Sequence, residues 1–163
     1  MIVLPAIGVD RLAEISANHV MHSIAGDATN PSTAALVLAA HGTLNKPSKP
    51  IETGLVATEQ LCAGIEQRLS TCFGMVSSGW LNHTRGGKWT DPPIEETLKR
   101  VSEAGIRNVV YYPYGFLADN AESQLEGQLA AAGRPELKVR FVPCLNGSFS
   151  LAEEIATQVV AAH

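Results

Sequence analysis

At 163 residues, with 45% hydrophobic and 17% charged side chains, the chain is long enough for one domain with a real core and too apolar for disorder. A formal net charge of −4 without a basic run argues against nucleic acid as a partner, because phosphate binding needs clustered Lys and Arg. No apolar run is long enough for an integral membrane segment. Cys62, Cys72 and Cys144 are too few and too widely spaced for a disulfide framework, a thiolate zinc site or an iron–sulfur cluster. Met1-Ile2-Val3-Leu4-Pro5 carries no basic residue ahead of its apolar stretch, so no secretory leader is expected. The expected setting is a reducing cytoplasm.

In chain order, Ile2 to Leu4 reads as a short strand closed by Pro5, with Asp10 a candidate helix cap. Leu12, Ile15, His19 and His22 then recur at helical spacing. His19 and His22, three apart, share a face, and ordinary surface histidines are the expectation there. Residues 26–32 form a polar linker. Leu36 to Ala40 is a continuous apolar run ending in His41-Gly42, the pattern of a strand buried on both faces in a parallel sheet. A loop over 42–50 leads to a helix over about 51–69, a strand over 73–76 and a long loop over 77–93 holding Trp80 and Trp89. Pro93 opens the next helix and Gly105 closes it. A strand over 108–112, a helix running to about 132, a strand over 139–142 and a helix over 150–162 complete the chain. Alternation of strands and helices predicts an α/β fold, a doubly wound parallel sheet of four to five strands with helices on both faces.

The segment Val3-Leu4-Pro5 followed by Leu12-Ala13-Glu14 echoes Phe141-Val142-Pro143 followed by Leu151-Ala152-Glu153. Matches this short also arise by chance; on the repeat reading, residues 1–30 are the strand–helix end of a preceding half-domain and residues 31–163 a whole second one.

Ligands of open α/β sheets bind beyond the carboxyl ends of the strands, which is where His41 falls. Asp119, Glu122 and Glu126 follow the 108–112 strand at helical spacings, on the same sheet edge. Alone they read as a solvated acidic face at a helix start. One imidazole facing carboxylates without cysteine makes an open site suited to a passing metal ion or to acid–base work. Trp80, Trp89, Tyr114 and Phe116 near that edge would suit a flat aromatic ligand, although each alone reads as packing.

Ala39-Ala40-His41-Gly42, Trp89-x-x-Pro92 before a Glu-bearing helix, and Pro113-x-Gly115-Phe116-x-x-Asp119-x-x-Glu122 together resemble the carboxyl-terminal half of ferrochelatase, in the same order. Pro143-Cys144-Leu145-Asn146 resembles that family's stretch before its last helix. The resemblance covers about residues 35–163 and implies a tetrapyrrole metal chelatase, with a divalent metal as substrate: ferrous iron into a porphyrin first, cobalt or nickel next. It implies His41 and Glu122 as catalytic residues, His41, Glu122 and Asp119 toward the metal, Asp119 and Glu126 supporting metal approach or proton removal, and Trp89, Tyr114 and Phe116 near the macrocycle. Asn120 stands where the family often has histidine, and Gly86-Gly87 replaces a glycine–proline pair. Ferrochelatases carry two such halves and short relatives pair two chains, so a homodimer or a missing first half-domain is the implied partner. The alternatives are an inert half-domain that binds metal, tetrapyrrole or another protein, and a histidine phosphatase. The latter is disfavoured because Ala40 stands where that family has arginine.

Overall fold

The computed structural model describes residues 7–27, 29–45, 53–82 and 88–161. The expected strand at 2–4 lies outside them. Four strands, β1 (Ala35–His41), β2 (Met75–Leu81), β3 (Asn108–Tyr112) and β4 (Lys138–Phe141), form one parallel sheet in the order β2-β1-β3-β4. The helices are α1 (Val9–Ile24), α2 (Leu55–Leu69), α3 (Ile94–Glu103), α4 (Gly127–Ala132) and α5 (Phe149–Ala161).

Every residue of β1 from Ala35 to Ala40 is fully buried, as the unbroken apolar run requires of a central strand. Leu36, Leu38 and Ala40 face a core shared with α1 and α2, whereas Ala35, Val37 and Ala39 face α3 and α4. This is the doubly wound arrangement expected from the alternating elements. Helix α1, in the segment expected to end a preceding half-domain, buries Ala13, Ala17, Val20 and Ile24 in the core beside β1. Helix α5 buries only Leu151, which packs with Ile15 and Leu145, while Arg11 Nε donates to Glu154 at 2.9 Å. Among the described residues, no helix is long and apolar enough to cross a membrane.

Several boundaries differ from expectation. Strand β2 runs on through Ser77-Ser78-Gly79 to Leu81, a stretch whose small polar residues signal a turn. Gly79 lets α3 lie against the strand, since a Cβ there would fall 2.6 Å from Thr97 Oγ1 and 3.0 Å from Ile94 Cα. Thr97 Oγ1 donates to Ser78 O at 2.8 Å. Trp80 is thus a sheet residue opposite Ala40, buried in the α1–α2 core, and no loop aromatic. Asp10 does not cap α1. Gly8 holds the cap position, and Asp10 in the first turn accepts from Arg68 Nη2 at 2.6 Å. Helix α2 starts at Leu55, behind Gly54 at φ +68°, a left-handed turn that glycine adopts without strain. The helix expected after Asp119 opens as a π turn over Glu122–Glu126 before becoming α4. One extra residue enters that turn, which spacing arguments built on 3.6 residues cannot foresee.

Candidate active site

β1 leads to β2 on one side, and the chain then returns to β3 on the other side of β1. The crevice beyond the ends of β1 and β3 is therefore the topological switch point of the sheet, where such folds bind ligands. His41 closes β1, and the loop after β3 carries Phe116 and then Glu122.

The structure brings these together. His41 Nδ1 hydrogen-bonds directly to Glu122 Oε1, across 81 residues of sequence. The His41 side chain is 54% exposed and that of Glu122 is 24% exposed, so the pair opens on its histidine side. Phe116 meets the imidazole edge-on, with ring centroids 6.4 Å apart. Both sides of the crevice approach closely because small residues meet there. Gly115 N–H donates to Ala39 O at 3.2 Å, and a Cβ on Gly115 would lie 2.6 Å from the Ala40 Cβ. Beyond His41, Gly42 N–H donates to Leu81 O at 2.7 Å.

Trp89 belongs to this neighbourhood. Leu44 and Trp89 form an antiparallel bridge, Asn45 Nδ2 donates to Trp89 O at 2.9 Å, and Thr90 N–H donates to Thr43 O at 2.9 Å. The tryptophan loop is thereby laced to the three residues that follow His41-Gly42. Tyr114 is turned into the α1–α2 core, where burial raises its phenol above the ordinary range. It also lines a cavity of about 250 Å³ with Ile7, Leu12, Leu61 and Leu117.

Asp119 is engaged elsewhere. Its Oδ1 accepts from Cys144 N–H at 2.9 Å and from Gln124 Nε2 at 2.6 Å, and its Oδ2 accepts from Asn146 Nδ2 at 2.7 Å. Burial alone would raise this carboxyl, but the bonds from Cys144, Asn146 and Gln124 outweigh it and hold it below its ordinary value. Glu126 lines a separate cleft with Asn82, Glu95 and Leu129. Among the described residues, no three His, Cys, Asp or Glu side chains gather closely enough to hold a metal ion. The expected grouping of His41, Glu122 and Asp119 is here a pair, with Asp119 turned to the β4–α5 loop. Burial pushes the Cys144 thiol up to about 12 and also raises Cys62, so neither offers a thiolate near neutral pH. His19 and His22 do not act as a pair: His19 Nε2 bonds Pro143 O at 2.9 Å and His22 Nδ1 bonds Asn18 O at 2.7 Å.

Sequence reasoning missed two supports. Asn120 and Ser123 cap the π turn reciprocally: Ser123 N–H donates to Asn120 Oδ1 at 2.9 Å, and Asn120 N–H donates to Ser123 Oγ at 3.0 Å. Their spacing of three was the available signal. Asn146 bonds Asp119 just ahead of that turn, and beside the Pro143-Cys144-Leu145-Asn146 run its local mark is the turn-forming Asn146-Gly147 pair.

These features define a doubly wound α/β domain with an open imidazole–carboxylate pair at its switch point. A family model described as Ferrochelatase matches residues 9–163, and the chain belongs to the ferrochelatase family. A curated ferrochelatase from Acidobacterium capsulatum is 46% identical over 37 residues, which is 23% of this chain and 11% of that protein. Among solved structures, CbiX, described as the terminal enzyme of siroheme biosynthesis in denitrifying bacteria, is similar at TM-score 0.63 and 18% identity over 98% of this chain and 62% of that one. DR2241 from Deinococcus radiodurans, described as a multi-domain protein with structural similarity to chelatases, is similar at TM-score 0.63 and 16% identity, over 94% and 30%. At these identities the two structures show the fold. Each match spans less than two thirds of the relative's own length.

Proposed function

We propose that this chain is a metal-inserting unit of a tetrapyrrole chelatase, with ferrous iron and a porphyrin as its first-choice substrates. The observation that carries the reading is the His41–Glu122 bond across the switch point. Insertion exchanges two pyrrole N–H protons for one divalent ion, so the site must take up two protons and release a metal it has briefly held. In a neutral His41 with Nδ1–H donating to Glu122, Nε2 carries the lone pair. That nitrogen accepts the first pyrrole proton, Glu122 steadies the imidazolium that results, and the half-exposed ring passes the proton to solvent so that it can accept the second as the ion enters. A pair with so few ligands suits delivery, because a closed cage would retain the ion. Phe116 beside the imidazole and the tethered Trp89 loop supply aromatic surface for a flat ring.

A second half completes the crevice, either a preceding half-domain or a second copy of this chain. The phosphatase alternative still lacks its arginine at Ala40. The test is an anaerobic absorbance assay with ferrous or cobaltous ion, offering protoporphyrin and sirohydrochlorin separately. A metallated spectrum from wild type and none from His41→Ala supports the reading and names the ring. Folded protein inert on both rings overturns it for the chain alone and leaves the binding half-domain.

A further inference from the structure

We propose that Asp119 is a positioning residue and no metal ligand: clasped by Asn146, Cys144 and Gln124, its carboxylate sets the π turn that aims Glu122 at His41. This inference rests on reading His41 and Glu122 as the reacting pair.

The clasp ties two loops that the sequence separates by 25 residues or more. From the β4–α5 loop, Cys144 N–H and Asn146 Nδ2 donate to the two Asp119 oxygens. In return, Asp119 N–H donates to Asn146 Oδ1 at 2.8 Å, and Asn146 N–H donates to Leu117 O at 2.8 Å. Gln124, inside the π turn, reaches back to Asp119 Oδ1. A carboxylate has about four lone-pair positions, and three are filled by these donors. A metal ion binding Asp119 would therefore have to break the clasp. Asn146 adopts φ +48°, a left-handed conformation that asparagine tolerates when its side chain bonds locally. Its Nδ2 also donates to Cys144 O at 3.1 Å, fixing the amide in the clasping orientation. The Pro143-Cys144-Leu145-Asn146 run, far from His41 in sequence, thereby acquires a part in the site. Glu122 sits three residues beyond Asp119, between Asn120 and Ser123, so any movement of Asp119 is passed to it through a turn whose entry those two residues close reciprocally.

Three variants isolate the clasp. Asp119→Asn keeps the shape and removes the charge, and Asn146→Gly keeps the left-handed backbone and removes the side chain. Asp119→Asn combined with Asn146→Asp exchanges amide and carboxylate and restores the bond between them. The first readout is the NMR resonances of the His41 ring in metal-free protein, with Glu122→Ala as the reference for a lost contact. Both single variants should move the ring resonances at least halfway to that reference, and the exchanged pair should bring them back. The second readout is titration with cobaltous ion alone, whose affinity should stay within about twofold in Asp119→Asn. Insertion, where measured, should lose kcat with the metal KM unchanged. Ring resonances unmoved in both single variants would overturn the proposal. So would a loss of cobalt affinity of about tenfold or more that the exchanged pair fails to restore, since that marks a ligand. Should Asp119→Asn fail to fold, Asn146→Gly carries the resonance test alone. If wild type inserts no metal, the functional reading fails while the ring resonances still decide the clasp.

Discussion

The two banks of the crevice are held by different kinds of bond. On the β1 bank, His41 closes a strand paired along its length with β2 and over Ala35–Leu38 with β3, and the next N–H, of Gly42, bonds Leu81. Backbone ladders and glycine-sized contacts set its place. On the β3 bank, Glu122 rides a π turn fixed by the side chains of Asp119, Asn120, Ser123 and Asn146. A residue placed by backbone keeps its position through most substitutions around it. A residue placed by side chains depends on each of them. The pair thus joins a rigid partner to an adjustable one, which suits the proposed brief holding and release of an ion.

The largest expected effect comes from the rigid bank. His41→Ala should lower insertion by about 100-fold or more, the scale of a lost general base, with the melting temperature nearly unchanged because the side chain is half exposed. Parallel absorbance assays and thermal melts would check this, and a large fall in stability would show that His41 holds the strand end as well. Glu122→Gln should cost about tenfold or more in insertion, since the amide still bonds His41 but no longer balances an imidazolium. A rate equal to wild type would mean that only the position of this side chain matters.

Gly115→Val probes the contact between banks. The new Cβ would meet Ala40 Cβ at 2.6 Å and Ala40 Cα at 2.8 Å, atoms that cannot swing aside. Overpacking of this kind costs about 1–3 kcal/mol, readable by denaturant unfolding, and the shifted loop should carry Phe116 and Glu122 away from His41. Full stability would mean the banks are less closely packed than the geometry states.

The rigid bank is also the legible one. The run Leu36–Ala40 identifies its strand because burial on both faces leaves no room for polar residues, and His41-Gly42 marks its end. The sheet class follows from alternation, and the convergence of His41 with Glu122 follows from parallel topology. The adjustable bank was legible only in part. Three carboxylates at helical spacing suggest one shared face, but the π turn breaks that spacing, and Asp119 takes its partners from Cys144 and Asn146. Those partners come from a distant loop, and nothing local to Asp119 encodes them. Trp80 misled for the opposite reason: Ser77-Ser78-Gly79 looks like a turn until α3 is seen to need the space that Gly79 leaves.

Acid should separate the banks, and this is the smallest expected effect. Asp119 has a folded-state pKa below its ordinary value of 3.8, so its bonds stabilise the fold fully above that value. The contribution is lost as pH falls through the ordinary carboxyl range and on through the lowered folded value. The adjoining Cys144 thiol, raised to about 12, stays neutral throughout this window and adds nothing. The Asp119 side is solvent-exposed, so screening keeps the loss to local opening and leaves the global fold in place. Amide hydrogen exchange, corrected for its intrinsic pH dependence, should show protection at Cys144 and Asp119 falling in acid. Protection at Gly42, bonded backbone to backbone, should hold over the same range. Equal loss at all three amides would mean that the banks open together, and that side-chain bonding on the β3 side confers no separate mobility on Glu122.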